Sequence, residues 1–262
     1  MNTKLSGAQL VLVPITNLGV NRFPIVENLR GRVIKFIDFY PTNYLPDTSA
    51  AGCNSSQDLY ITIRNEAGNT DLHFALPLVR LDYTQTLGNR TPIMSKINLQ
   101  STYIDCQNAA LVGKTAAFIF WYDLPEYSQR NTTDTLITDA ISVPLTTATR
   151  YNVLPDSDRM TGKRFRRILL GAPTTTPDLQ TGLGWSELEN VYLTLRKGSY
   201  NIAENIPVYL LYQLQMLFKS DWQNIIFDFQ SSYITIGGAG TIPNVSTDYL
   251  GKSVFFNLQY EK

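Results

Sequence analysis

Cysteine, histidine and charged residues are all scarce in this chain of 262 residues. Cys53 and Cys106 are the only cysteines, too few for a disulfide scaffold, and we expect both to be buried free thiols. His73 is the only histidine, which excludes most zinc sites and most histidine-based catalysis. Charged residues form only 17% of the chain, against about 25% in a typical soluble domain. A surface so poor in charge is either rich in hydroxyl groups or covered by neighbouring molecules.

The few charges cancel, because Lys and Arg together number 22 and so do Asp and Glu. A general nucleic-acid coat or a polybasic membrane anchor needs excess positive charge, so neither is expected. The longest apolar run, residues 116–122, is far shorter than the roughly 20 residues of a membrane-spanning helix. The first residues carry too short an apolar stretch for a secretory signal. We therefore expect a soluble chain that is made in a cytoplasm.

Short strands separated by turns dominate the sequence pattern. Runs of Val, Ile, Leu, Phe, Tyr and Thr are separated by stretches rich in Pro, Gly, Asn, Asp and Ser. Several runs, such as residues 60–64 and 96–100, alternate apolar and polar side chains, which is typical of a strand with one buried face. The clearest predicted strands are residues 10–15, 33–39, 59–64, 74–81, 96–104 and 116–122. Many short strands with turn signals indicate an all-β sandwich or barrel.

The sequence also repeats itself, and seven short motifs return in the second half in the same order. They are VPIT at 13–16 and VPLT at 143–146, Pro24 and Pro155, GRVI at 31–34 and GKRF at 162–165, LYITIR at 59–64 and VYLTLR at 191–196, LPL at 76–78 and IPV at 206–208, QSTYI at 100–104 and QSSYI at 230–234, and GKT at 113–115 and GKS at 251–253. The offset is 130 to 132 for the first six and 138 for the last, because the loop after Ile234 is longer. Ordered motifs at a nearly constant offset indicate an internal duplication.

The duplication predicts two tandem copies of one all-β unit. Residues 1–123 form the first copy with an N-terminal arm, residues 124–140 a linker rich in Ser, Thr, Asn and Asp, and residues 141–262 the second copy. Each copy holds seven or eight predicted strands in roughly 115 residues, which is the size of one eight-stranded jelly roll. The predicted fold is therefore an all-β double jelly roll, with two tandem eight-stranded jelly-roll barrels.

Two tandem jelly rolls without enzyme motifs resemble the double jelly-roll major capsid proteins of tailless icosahedral viruses. The small coat proteins of membrane-containing bacterial viruses, the corticoviruses and finnlakeviruses, are the most similar in layout. In each copy a strand (33–39 and 164–170) leads through a long loop of small residues into a strand ending in Arg64 or Arg196, which is similar to corticovirus coat proteins.

This resemblance implies a structural virion protein and no enzyme. It implies homotrimers that act as pseudo-hexagonal capsomers and tile an icosahedral shell around an internal lipid membrane and the genome. Neighbouring capsomers and penton or minor capsid proteins would be its partners, without sequence-specific nucleic-acid binding, and the chain would be made in the host cytoplasm. The loops at 41–57 and 171–189 are too short to imply the outer towers of larger members.

A cluster of basic residues is the candidate functional site. It comprises Arg30, Arg32 and Lys35 in the first copy and Lys163, Arg164, Arg166 and Arg167 in the second. Along an extended strand Lys163, Phe165 and Arg167 would share one face, with Arg164 and Arg166 on the other. Both faces cannot line one barrel core. We interpret the cluster as a rim at the barrel end, facing either an anionic membrane or genome, or a carboxylate of the same or a neighbouring subunit.

No catalytic, cofactor or metal site is predicted. GKT at 113–115 and GKS at 251–253 resemble the end of a phosphate-binding loop, but Asn108 and Ser246 replace the glycine that the motif needs, so a turn before the last strand is expected. Asp156 and Asp158 lack the further acids of a calcium loop, so a solvated turn is expected there. Paired carboxylates stay open, because nothing marks one pair among Asp38, Glu66, Asp82, Asp105, Asp123 and Asp228.

Two alternative functions also stay open. The first is a tandem β-sandwich that binds carbohydrate like a lectin, although Trp121, Trp185 and Trp222 do not occupy equivalent positions in the two copies. The second is a minor capsid or spike protein of the same class of virus. The lack of a fibre-like or tower-like extension favours the shell protein.

Overall fold

The computed structural model of the chain is all-β, and the residues that it describes contain fifteen strands, joined by loops, short 3-10 turns and a helical segment at 208–211. It describes residues 7–43, 45–46, 52–67, 70–82, 91–122, 136–146, 151–156, 158–163, 165–170, 187–211, 226–237 and 249–261. These residues fall into two compact units, one built from the first eight strands and the other from the last seven. Among the described residues, no helix has the length and apolar character needed to cross a membrane.

The first unit contains eight of the described strands. Its strands are β1 (Gly7–Pro14), β2 (Gly19–Arg22), β3 (Val33–Tyr40), β4 (Leu59–Arg64), β5 (Asp71–Pro77), β6 (Pro92–Lys96), β7 (Tyr103–Cys106) and β8 (Thr115–Tyr122). Neighbouring strands follow the order β1-β8-β3-β6 in one part of this unit and β2-β7-β4-β5 in a separate four-stranded sheet. The 3-10 turns are Glu27–Leu29, Leu78–Arg80 and Ala109–Leu111.

The second unit has the same kind of strand order. Its strands are β9 (Leu136–Pro144), β10 (Asn152–Val153), β11 (Phe165–Leu170), β12 (Val191–Lys197), β13 (Tyr200–Pro207), β14 (Tyr233–Ile236) and β15 (Ser253–Glu261), with 3-10 turns at Leu188–Asn190 and Phe229–Ser231. The strands are ordered β10-β14-β12-β13 and β11-β15-β9. No counterpart of β6 is described in the second unit. If that sixth position is left empty, β9 to β15 follow the same orders as the strands of the first unit.

Aromatic side chains fill the interior of each unit. All eight residues of β8 are buried, and the ring of Phe118 lies 5.1 Å from the ring of Phe23 and 5.5 Å from that of Phe39. In the second unit the ring of Phe165 lies 4.7 Å from that of Phe227 and 6.0 Å from that of Tyr260. Tilted and edge-on rings at such distances add to the free energy of burial, so each unit has its own packed core.

A threonine on the fourth strand of each unit holds the same irregular turn of the neighbouring strand. The Ala75 N–H donates to Thr62 Oγ1 (3.2 Å), and the Asn205 N–H donates to Thr194 Oγ1 (3.0 Å). Ala75 has φ +47° and Asn205 has φ +51°, a conformation that costs an L-residue roughly 1–2 kcal/mol. A residue with positive φ therefore recurs in both units. The two residues lie 130 positions apart, which is also the offset between the LPL and IPV motifs.

The loops before the last strands also repeat. The Gly113 N–H donates to the carbonyl of Ile15 (2.8 Å), and the Gly251 N–H donates to the carbonyl of Leu145 (3.0 Å). Both glycines have positive φ, +88° and +82°, and each lies two residues before the last strand of its unit. The prediction of turns at GKT and GKS is confirmed, since neither motif opens a helix.

The predicted strand over residues 96–104 is wrong. β6 ends at Lys96 and β7 begins at Tyr103. Between them Asn98 closes a turn, because its Oδ1 accepts from the Ser101 N–H (3.3 Å) and its carbonyl accepts from the Thr102 N–H (2.9 Å). Asparagine forms such local hydrogen bonds in preference to a sheet ladder.

Two predicted boundaries also shift. β5 ends at Pro77, and the residues after it form a 3-10 turn rather than a strand to Leu81. β9 begins at Leu136, so the end of the predicted linker 124–140 belongs to a strand. The strand extends because residues 136–144 pair along β15 without a register break.

Candidate functional site

The basic residues of the first unit lie around the start of β3. Arg30 and Arg32 precede the strand, and Lys35 lies within it. The Arg30 side chain is 75% exposed, with its Nη1 3.8 Å from Glu27 Oε2. The Arg32 guanidinium lies 5.8 Å from the centre of the Tyr122 ring. An exposed ion pair adds little stability, so the Arg30 charge remains available to a partner.

Lys35 occupies a β-bulge. Ile34 pairs with Tyr122, and Phe36 pairs with Trp121, so that Lys35 is the extra residue on β3. A bulge re-aims the side chain of its extra residue and bends the strand. The basic position is therefore built into an irregularity of the sheet.

The second unit has the same irregularity at the equivalent place. Phe165 pairs with Tyr260 and Arg167 with Gln259, which makes Arg166 the extra residue on β11. β11 begins at Phe165 and its backbone bulges after that residue, so Arg167 pairs one position closer to the end of β15 than a regular ladder would place it.

The remaining basic residues of the second unit are only partly described. Lys163 is half-buried and lies before the strand. Arg164, and the side chains of Arg166 and Arg167, lie outside the described part of the structure. The idea of one continuous basic rim stays a prediction.

A cleft of about 310 Å³ lies beside Arg30 in the first unit. It is bounded by the turn that contains Ile25 and Glu27 and by the turn that contains Leu99, with Glu66 also in its wall. Ile25 is 64% exposed, which is high for such an apolar residue. The cleft therefore combines apolar side chains with two carboxylates and one guanidinium.

The second unit has a cleft of about 240 Å³ at the equivalent position. Its wall includes Asp156, whose carboxylate accepts from Thr161 Oγ1 (2.9 Å) and from Gln230 Nε2 (3.0 Å). Asp228 accepts from the Gly198 N–H (2.7 Å). Both carboxylates therefore act as hydrogen-bond acceptors for neighbouring loops of the same unit. In the described part of the chain no group of three or more His, Cys, Asp or Glu side chains could hold a metal ion.

The two clefts share a position and differ in chemistry. Asn98 and Leu99 in the first correspond to Asp228 and Phe229 in the second, at an offset of 130. Neither cleft was predicted, and the first was hidden by the strand predicted through its turn at Asn98. The available signal was the Asn–Leu–Gln–Ser order at 98–101, in which two turn-forming residues interrupt the apolar pattern.

The acidic residues that could pair for catalysis have different surroundings and different hydrogen-bond partners. The Asp38 carboxylate is 2% exposed and accepts from Trp121 Nε1 at 2.7 Å. Asp82 is equally buried, whereas Asp105 accepts from Gln107 Nε2 (3.4 Å) on the surface. Asp123 lies outside the described residues. The Asp38 carboxylate is a structural acceptor in the interior of the first unit.

Both cysteines are buried and free, as predicted. Burial raises the pKa of the Cys53 thiol. A raised pKa lowers the fraction of reactive thiolate at neutral pH, so Cys53 belongs to the core and is poorly suited to act as a nucleophile.

Comparisons with protein-family models, with curated proteins and with solved structures found no match. The strand order, the repeated contacts and the exposed surfaces of this chain are the features that bear on its function. The strand order and the repeated contacts are shared by both units, and the exposed surfaces distinguish one unit from the other.

Proposed function

We propose that each unit is an eight-stranded jelly roll and that the chain arose by duplication of that fold. In a jelly roll two four-stranded sheets face each other, connected as two Greek keys. Strands numbered along such a chain have the orders 1-8-3-6 and 2-7-4-5, which match the strand orders of the first unit. The second unit supports the same reading with one strand fewer among its described residues.

Repeated hydrogen bonds support the duplication more strongly than the strand order alone. The Arg64 N–H donates to Thr102 Oγ1 (3.2 Å), and the Arg196 N–H donates to Ser232 Oγ (3.0 Å). Unrelated sheets have no reason to use a hydroxyl group at the same place. The sequence motifs at 100–104 and 230–234 supply these hydroxyl groups, so they act as determinants of the fold.

We infer that the chain is the major capsid protein of a tailless icosahedral bacterial virus. The observation that carries this inference is the common strand order and the repeated hydrogen bonds of the two all-β units, which support a duplicated unit. A trimer would then present six similar units around its axis, and a capsomer with a nearly hexagonal outline can tile a shell. The shell would enclose an internal membrane and the genome, with penton or minor capsid proteins as further partners.

The surface composition is compatible with many lateral contacts. Charged residues are only 17% of the chain, and Tyr and Phe number 15 and 12. Interfaces lose charge and gain aromatic residues relative to other surfaces. At the surface of the second unit Tyr151 stacks on Tyr233, with ring centres 3.9 Å apart. Such half-exposed aromatic pairs suit a contact with a neighbouring molecule.

The mass of the purified chain in solution tests the proposal. We expect a stable trimer, three times 29.5 kDa, that forms larger arrays as concentration rises. Light scattering on a sizing column measures this mass directly. A chain that stays monomeric at high concentration would contradict the capsid proposal and favour a tandem binding module, for which a glycan array is the next experiment.

The basic residues are proposed to face the internal membrane. Reversing two charges with Arg30→Glu and Lys163→Glu is expected to weaken binding to vesicles containing anionic lipid by about tenfold or more, since each basic residue near such a surface contributes about 1 kcal/mol. Sedimentation with vesicles measures the bound fraction. Arg80→Glu is the matched control, because Arg80 is exposed and lies outside the proposed rim. Equal binding by the double variant and the parent would reject the membrane-facing role.

A further inference from the structure

An arginine lies near the end of the fourth strand of each unit, and the two arginines have different surroundings. Arg64 and Arg196 close the matching motifs LYITIR and VYLTLR, and both are half-buried. Their backbone N–H groups each donate to a hydroxyl group at the equivalent place. Since the backbone hydrogen bonds of the two positions match, a difference between their side-chain partners points to a difference in what they bind.

Arg64 has two partners within its own unit. Its Nε donates to Asp71 Oδ1 at 2.8 Å, and Asp71 lies directly opposite it on the neighbouring strand. Its guanidinium also lies 5.7 Å from the centre of the Tyr103 ring. A charge-assisted hydrogen bond to a carboxylate and a contact with an aromatic face both stabilise a partly desolvated guanidinium. The positive charge of Arg64 is therefore satisfied inside the chain.

Within the described part of the chain, Arg196 has neither kind of partner. Asn201 lies opposite it on β13, in the register position that Asp71 has on β5, and an amide carries no charge that could neutralise the guanidinium. The equivalent aromatic ring, that of Tyr233, is stacked against Tyr151 instead. The Arg196 Nε is buried without a hydrogen-bond partner, and no carboxylate of the described residues forms an ion pair with this side chain.

The acidic residue beside Arg196 is occupied elsewhere. The Asp228 N–H donates to the Arg196 carbonyl (2.8 Å), but the Asp228 carboxylate accepts from the Gly198 N–H (2.7 Å). A partly buried guanidinium without a partner has lost hydration and gained no ion pair in return. Its planar fork of N–H donors matches the two oxygens of a carboxylate. Arg196 is therefore suited to an anion that arrives from outside.

We propose that Arg196 binds a carboxylate group that comes from outside the chain. The first unit shows the chemistry of the pair, because the equivalent arginine holds a carboxylate through its Nε. With Asn201 in place of that acid, the second unit leaves its guanidinium to a small organic acid or to an acidic side chain of a neighbouring copy. Because Arg196 is only half-buried, the incoming group reaches it from solvent. Such a site can exist whether or not the chain is a capsid protein.

NMR spectra of the arginine Nε–Hε groups in a nitrogen-labelled chain test the site directly. As sodium acetate replaces sodium chloride at constant ionic strength, the Arg196 signal is expected to move downfield, because a charge-assisted hydrogen bond forms. Its loss in Arg196→Lys assigns the signal. The Arg64 signal is the internal control and should move several times less, since its Nε is already paired. Asp71→Asn should make the Arg64 signal respond as the Arg196 signal does.

Restoring the missing acid supplies a second measurement. Asn201→Asp gives the second unit the carboxylate that the first unit has at this register position. The substitution is expected to raise the midpoint of thermal unfolding by roughly 2–5 °C, because a hydrogen bond to a charged group is formed. It should also abolish the response of the Arg196 signal to acetate. A response that persists in Asn201→Asp would overturn the proposal.

Self-association distinguishes the two sources of the carboxylate. If it belongs to a neighbouring copy, Arg196→Gln and Asn201→Asp both weaken self-association, which light scattering measures. If it belongs to a small acid, neither variant changes the mass, and the acetate titration of the wild-type chain reaches saturation. An Arg196 signal that ignores acetate, in a chain whose mass neither variant changes, would overturn the proposal. That result leaves the capsid proposal intact when the wild-type chain is a trimer.

Discussion

Replacing Phe118 by alanine is expected to lower the free energy of unfolding of the first unit by about 4 kcal/mol. The side chain is 0% exposed and packs between the rings of Phe23 and Phe39. Removing a buried phenylalanine ring forfeits its transfer free energy and leaves a cavity that close-packed neighbours fill only partly. β8 lies between β1 and β3 in its sheet, so little movement can close the gap.

Urea unfolding followed by tryptophan fluorescence measures this loss. Phe256→Ala is the matched variant in the second unit, because Phe256 occupies the same position on β15 and is also buried. Phe74→Ala controls for the loss of a ring from the surface and should change stability by less than about 0.5 kcal/mol. A loss of under about 1 kcal/mol for Phe118→Ala would mean that its ring is not part of a packed core.

Strands with regular alternation were the easiest part of the fold to predict. The run from Leu59 to Arg64 was predicted as a strand with these bounds, and β4 has the same bounds. Val33 was likewise predicted to begin the strand that is now β3. In β4 the apolar side chains of one face are buried, so the local pattern and the tertiary burial agree.

The turn at Asn98 could not be found in that way. Residues 96–100 alternate as regularly as a strand, and the turn depends on hydrogen bonds that Asn98 makes to Ser101 and Thr102. The first cleft was missed for the same reason, because Leu99 in its wall was taken as a strand residue. Whether such a segment forms a local turn or pairs in a sheet depends on the neighbouring strands. The sequence of the segment alone holds no information about those strands.

The repeat could be predicted, but its asymmetry could not. Thr62 and Thr194 stand in matching motifs, and both accept the N–H of a residue with positive φ. By contrast, Leu72 and Ile202 are similar residues at matching positions, and only Ile202 is fully buried. Burial depends on what covers a strand, so a duplicated sequence can predict the fold of each unit without predicting which surfaces stay open.

Gly52→Ala is expected to destabilise the first unit by about 3 kcal/mol or more. A Cβ atom at this position would lie 2.3 Å from the Asn43 Cα and 2.3 Å from the Thr42 carbonyl oxygen. Both atoms belong to the backbone, so no side-chain rotation can relieve the overlap. The same stretch forms bridges between Gly52 and Thr115 and between Cys53 and Thr42. Moving the chain away would therefore break the link between this loop and the start of β8.

Gly198→Ala is the control that separates steric overlap from backbone strain. Gly198 has φ +58°, and no atom lies within 4 Å of its added Cβ. Alanine there should cost only the roughly 1–2 kcal/mol of a left-handed L-residue. Thermal unfolding of both variants measures the difference. If Gly52→Ala costs no more than Gly198→Ala, residues 42–43 do not lie against Gly52. If it costs more, the close approach is real, and Gly52 is required by the packing of its loop rather than by its own φ angle.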